Sequence, residues 1–313
     1  MSPNDRIPSL ERDRLYLADG GLETTMIYRE RIELPHFASF SLLNDDRSRD
    51  VLRRYYRDYI EIAHRHGLGF TLDTPTWRAN LDWGEKLGYS SRDLADVNRV
   101  AVSLAEEIRA EHETLRTPIA VCGTIGPRGD GYHPARVMSE AEAERYHAAQ
   151  ITVFRDTAAD MVSAFTLTYA EEAVGVVRAA AALGVPVSIS FTVETDGRLP
   201  SGQRIGDAID RVDAATDSAS AYFMLNCAHP AHFAAELERG GKWVARLGGI
   251  RANASRKSHA ELDRSATLDS GDPVDLGAQY GRIKPRTTNV RVIGGCCGTD
   301  TRHIASICEN WLA

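Results

Sequence analysis

The sequence is poor in the features that would place it in a membrane, on nucleic acid or outside the cell. No run approaches the roughly 18 apolar residues that begin to suggest a membrane span, so none is expected. Basic residues are the minority: 37 Lys and Arg against 44 Asp and Glu give a formal charge of −7, and no nucleic-acid or anionic-membrane partner is expected. The opening MSPNDRIPSLERDRL lacks the apolar stretch of a secretory leader. Cysteine is scarce and odd in number, five in all, so reduced thiols in a cytoplasmic protein are expected rather than a disulfide framework. No Gly-x-Gly-x-x-Gly follows the first strand-like run, which counts against a dinucleotide fold.

What is present is an alternation. Strand-like runs occur at Leu15–Ala18, Phe70–Leu72, Ile119–Cys122, Met161–Phe165, Val187–Phe191, Tyr222–Leu225, Val244–Leu247 and Val290–Ile293. Helical patterns lie between most of them. Leu94, Val97, Ala101, Leu104 and Ile108 step along one helix face. Ser139 with Glu142, and Ser258 with Glu261, are capping boxes. Asp272-Pro273 opens an amphipathic stretch carrying Val274, Tyr280 and Ile283. The fold expected is an α/β, single-domain (β/α)8 TIM barrel over residues 15–313, with 1–14 as an N-terminal extension and a doubly wound sheet as the alternative. Two connections are long, roughly 24–50 and 248–289, and long βα loops on a barrel build the active-site face.

The cysteines fall where such a face would be. Cys227 directly follows the sixth run and Cys296-Cys297 the eighth, so all three are expected at strand tips one strand apart. Three thiolates with a vacant fourth position match a catalytic zinc site, and Gly294, Gly295 and Gly298 permit the sharp turn that adjacent ligands need. The competing reading is that they are small buried hydrophobes; Cys122 and Cys308 are assigned that role.

Asp19-Gly20-Gly21, Thr74-Pro75-Thr76-Trp77, Gly123-Thr124-Ile125-Gly126-Pro127, Asn226-Cys227 and Gly294-Gly295-Cys296-Cys297-Gly298-Thr299 together resemble the homocysteine S-methyltransferase (homocysteine-binding domain) family, over about residues 15–312. The resemblance implies a zinc-dependent thiol S-methyltransferase: Cys227, Cys296 and Cys297 hold Zn2+ and carry catalysis, and the acceptor thiol, homocysteine giving methionine, becomes the fourth ligand. Asp19, Gly20, Gly21, Thr74, Trp77, Phe165, Asn226 and Asn253 are the substrate-binding candidates. With 14 residues following Thr299, the expected donor is sulfonium or quaternary ammonium, of the S-methylmethionine, S-adenosylmethionine or betaine type, rather than one carried by a further module. Partners are then a small-molecule thiol and a cationic methyl donor; a homo-oligomer is compatible with both.

The sequence also departs from the family. Phe165 stands where a glutamate usually meets the acceptor's amino group, Pro75 replaces an asparagine between the two threonines, and Arg251-Ala252-Asn253 stands where Tyr-Pro-Asn is usual. A different thiol acceptor, a zinc hydrolase with Glu194 as base, and a non-catalytic metal- or thiol-binding protein are the alternatives. Arg251 and Arg256 are candidate carboxylate ligands, Glu194 and Asp196 candidate site or turn residues, and His229 and His232 capping residues near a helix start.

Overall fold

The computed structural model describes residues 6–132 and 136–313; of the extension expected at 1–14, residues 1–5 lie outside the described part. Eight parallel strands close in chain order: β1 (Tyr16–Leu17), β2 (Gly69–Asp73), β3 (Ile119–Ile125), β4 (Met161–Leu167), β5 (Val187–Phe191), β6 (Tyr222–Asn226), β7 (Leu247–Ala252) and β8 (Val292–Gly295). Although only two residues long, β1 pairs with both β2 and β8 and shuts the barrel. Closure excludes the open doubly wound sheet.

Alternation along the strands sorts residues into two cores. Tyr16, Ala120, Cys122, Met161, Tyr222, Met224 and Val292 fill the barrel interior. Their neighbours Leu17, Val121, Ile189, Phe223, Ile250 and Ile293 face outward onto the helices. Along β2 and β7 the same alternation brings Asp73 and Arg251 inward at the top layer, the end where βα loops gather.

The surrounding helices are α1 (Leu22–Tyr28), α2 (Asp46–His66), α3 (Leu81–Lys86), α4 (Ser91–His112), α5 (Glu140–Arg155), α6 (Ala170–Leu183), α7 (Ile205–Thr216), α8 (Pro230–Arg239), α9 (His259–Asp263), α10 (Pro273–Ile283) and α11 (Thr301–Leu312). The capping boxes at Ser139/Glu142 and Ser258/Glu261 both form, and Asp272 caps α10 through the Val274 amide. Val274 itself is 72% exposed, not part of the buried face expected of it.

One strand falls elsewhere. Lys242–Arg246 form a short 3-10 turn that buries Trp243, and β7 begins only at Leu247, the last residue of the expected Val244–Leu247. Gly248 and Gly249 hide it from a propensity reading. They are needed because a Cβ there would lie 2.6 Å from Tyr222 Cβ and 2.7 Å from Met224 Cε.

Candidate functional site

The barrel brings the three sulfurs together. Cys227 follows β6 in a left-handed conformation, φ 52°, which a non-glycine residue adopts only when its surroundings hold it. They do: the Cys227 carbonyl accepts from Asn253 Nδ2 at 2.9 Å, His259 Nε2 at 2.7 Å and Thr192 Oγ1 at 3.4 Å. A carbonyl only accepts, so Nε2 of His259 is the donor in this contact. Cys296 and Cys297 follow β8, whose turn is fixed by Thr299 Oγ1 donating to the Cys296 carbonyl at 2.7 Å and by Gly298 at φ 79°. Gly21 permits this approach, because a Cβ on it would lie 2.7 Å from the Cys296 carbonyl.

The ligand atoms of Cys227, Cys296 and Cys297 all lie within 4.8 Å of one another. Zn–S bonds of about 2.3 Å in a tetrahedral array separate sulfurs by about 3.8 Å, so the donor set and its spread fit one zinc ion. Contrary to the expectation of five reduced thiols, Cys227 and Cys296 are joined as a disulfide across a Cα–Cα distance of 5.4 Å, leaving Cys122, Cys297 and Cys308 free. Juxtaposition is the reason: side chains that can share an ion are close enough to bond. The link must be reduced before either sulfur can ligate. Burial, reinforced by the Glu23 carboxylate, pushes the Cys297 thiol up to about 12, against the pull of the Tyr132 hydroxyl bonded to it. Asn226 sits behind the cluster. It accepts from the Thr166 amide at 2.9 Å and Ser190 Oγ at 2.7 Å, and aims Nδ2 at Cys296 Sγ, 3.9 Å away.

Beside the sulfurs lies a buried charge triad. Arg251 is ion-paired with Asp19 and, at 2.5 Å, with Asp73, and its Nε donates to the Gly295 carbonyl at 3.0 Å. Asp19 also accepts from Tyr55 Oη at 2.9 Å. Burial works against the guanidinium's charge, but the two carboxylates outweigh it and hold its pKa above the ordinary value. Burial also drives Asp73 up to about 7, with Arg251 opposing and Asp19 reinforcing. The triad therefore consumes Arg251 internally, rather than presenting it to a substrate carboxylate. Asp19 is held by this pairing. Phe165 covers the triad from β4, where a register irregularity between Ala164 and Leu167 and φ 63° at Thr166 turn the strand tip.

A cavity of about 580 Å³ opens over sulfurs and triad. Of the substrate candidates, Asp19, Gly20, Gly21, Thr74, Trp77, Phe165 and Asn253 line it, while Asn226 is not among its lining residues. Thr74 is also structural, accepting the Thr124 amide at 2.9 Å. Glu194 bonds His259 Nδ1 at 3.2 Å rather than facing the cavity, Asp196 is exposed, and Arg256 pairs with Asp275 on the surface. His229 caps α8 but is buried, and His232 bonds the Arg256 carbonyl. Sequence reasoning missed Glu23, Asp73, Arg78, Tyr132 and His259, all of which line the cavity. The inward alternation of β2 could have revealed Asp73; the others sit on loops and short helices without a periodic signal. Burial raises the Glu23 pKa, against a 2.8 Å bond from Ser39 Oγ.

Fold and site together define a (β/α)8 barrel enzyme with a cluster of sulfurs at its catalytic mouth. A sequence model of the family described as Homocysteine S-methyltransferase matches residues 16–311, and the chain belongs to that family. Among relatives, it is 24% identical over 280 residues to betaine–homocysteine S-methyltransferase 1 of Rattus norvegicus, covering 83% of this chain and 64% of the rat protein. It is 26% identical over 325 residues to methionine synthase of Mycobacterium leprae (strain TN), covering 94% of this chain but 24% of that one. The chain thus spans less than two thirds of these relatives. The homocysteine methyltransferase MmuM from Escherichia coli shares the fold: its oxidized form superposes with a TM-score of 0.75 at 19% identity over 99% of both chains. Its metallated form gives 0.73 at 20% identity, over 95% of this chain and 96% of that one. Among the described residues no helix is long and apolar enough to cross a membrane.

Proposed function

We propose that the chain is a zinc-dependent thiol S-methyltransferase whose acceptor is homocysteine and whose donor is a sulfonium or quaternary-ammonium compound. The observation that carries this is the convergence of Cys227, Cys296 and Cys297 within 4.8 Å at the mouth of a family barrel. These three residues would hold the ion, which when bound would keep an incoming thiol deprotonated at neutral pH and still nucleophilic. The rest falls to the chain's own groups. Asn226 steadies the Cys296 sulfur, and the three-donor grip on the Cys227 carbonyl fixes where its sulfur points. Gly20 and Gly21 let substrate approach the backbone. Glu23 supplies carboxylate character suited to a cationic donor.

In the transfer, a new S–CH3 bond forms as the donor's bond from methyl to positively charged sulfur or nitrogen breaks. The bonding pair leaves with the donor, which departs neutral at that atom. A site that must keep three thiols reduced suits a cytoplasmic location.

A second reading keeps the chemistry and changes the acceptor. It is favoured by Phe165, an apolar ring where an ammonium would need an acceptor, packed on an arginine already neutralised by aspartates. The test is direct: reduced, zinc-loaded protein is given homocysteine and methyl-labelled betaine, S-methylmethionine or S-adenosylmethionine, and labelled methionine is measured. Methionine formation supports the first reading. Label transfer only to other thiols supports the second, and no transfer to any thiol overturns both.

A further inference from the structure

Arg78 lies just beyond β2 in the cavity wall, and its guanidinium is flanked by indoles, 3.9 Å from the Trp83 ring and 4.8 Å from the Trp77 ring. Both rings are pinned: Trp83 Nε1 donates to the Gly129 carbonyl at 2.9 Å and Trp77 Nε1 to the Phe165 carbonyl at 3.3 Å. Nη1 of Arg78 donates to the His36 carbonyl, while Nε is buried without a partner. Among the described residues no carboxylate ion-pairs with it, whereas the partly buried Arg109, Arg128 and Arg246 each hold one. Burial pulls its pKa below the ordinary value, against the opposing charge of Asp130 and, more weakly, Tyr132, Glu23 and Asp263, none of which ion-pairs with it. A desolvated, stacked guanidinium with donors to spare is costly unless an anion completes it, and its planar fork matches a carboxylate.

The wall around it carries the opposite sign. Glu23 and Asp263 line the same cavity, and Tyr132 bonds the Cys297 sulfur. A ligand bridging these groups needs a cation near the sulfurs and an anion at the rim. The acceptor must bring its own sulfur to the cluster, so the molecule reaching outward to Arg78 is the donor.

On the reading above, we propose that Arg78 binds the carboxylate of a zwitterionic methyl donor, whose onium group lies inward beside Glu23 and Tyr132. The subsite thereby selects onium carboxylates over donors lacking the carboxylate.

The test separates this from the activity itself. Reduced protein is titrated with glycine betaine and with S-methylmethionine, each against its methyl ester, and tryptophan emission is followed because two of the four tryptophans flank the guanidinium. The acids should bind roughly 10–100-fold tighter than the esters, and Arg78→Gln should erase that difference. Arg78→Lys, keeping the charge without the fork, should retain part of it and guards against a folding defect in the first variant. In turnover, Arg78→Gln should raise the donor KM while leaving the thiol KM and zinc content unchanged. Equal binding of acid and ester, undiminished preference in both variants, or a rise in the thiol KM instead would overturn the assignment. Because binding is read without methyl transfer, an inactive protein that still prefers the acids would refute the proposed function and not the subsite.

Discussion

The guanidinium of Arg251 lies 5.1 Å from the centre of the Phe165 ring, with the Asp19 and Asp73 carboxylates holding its other sides. A cation that would repel an acceptor's ammonium is thus both neutralised and roofed over. The cavity wall at this point is therefore apolar.

Replacing the roof should change acceptor preference. In Phe165→Glu, the new carboxylate beside Arg251 would leave the wall with surplus negative charge. The ratio of kcat/KM for homocysteine to that for 4-mercaptobutyrate, its analogue without the amino group, should rise roughly tenfold, a step of about 1.4 kcal/mol. An unchanged ratio would mean that Phe165 does not face the acceptor.

Serine at Cys227, Cys296 or Cys297 should each abolish stoichiometric zinc, with a loss exceeding the roughly 10–100-fold that outer contacts cost. Zinc uptake should require a reductant, since Cys227 and Cys296 are joined in the structure. It should also release protons, because the Cys297 thiol is held near 12 until a cation binds. Metal analysis and a pH indicator in weak buffer report both; full zinc binding by any single variant would remove that residue from the ligand set.

The grip on the Cys227 carbonyl should matter without touching substrate. His259→Ala and Asn253→Ala each remove one of its donors, and each should weaken zinc binding about 10–100-fold, with helix content by circular dichroism preserved. Zinc affinity equal to that of the parent would show that the left-handed turn at Cys227 stands unaided.

Asp73 predicts a pH signature. Its pKa of about 7 lies above its ordinary value of 3.8, burial being the main cause. The native state therefore binds a proton more tightly than the unfolded chain, and this contribution to stability is fully present below about pH 4 and is lost as pH rises through 7. Urea midpoints measured from pH 4 to 8 should fall toward pH 7 and then level off, and Asp73→Asn should flatten that slope. Parallel curves for the two proteins would refute the shift.

The sequence carried the barrel because buried parallel strands and capped helices are local signals: the Ser139/Glu142 box formed as read, and β5 covers the expected Val187–Phe191. It also carried the positions of the sulfurs, since Asn226-Cys227 and Gly294–Cys297 abut strands. β7 was misplaced because Gly248 and Gly249 serve neighbouring side chains rather than strand propensity. The charge triad was not legible. Arg251 pairs with Asp19 across 232 positions and with Asp73 across 178, and nothing local in the chain announces such partners. Arg78, Tyr132 and His259 were silent for the same reason, being brought to the cavity by loops and a short helix.

Cys296 lies 69 residues beyond Cys227, past the final strand, and the barrel is shut only when β8 reaches the two-residue β1. A ribosome therefore delivers the first sulfur several seconds before the others exist. Through that interval Cys227 is a solitary thiol with nothing to chelate. On the proposed zinc reading, capture of the ion must wait for β8, so loaded protein would be protein whose seam has closed.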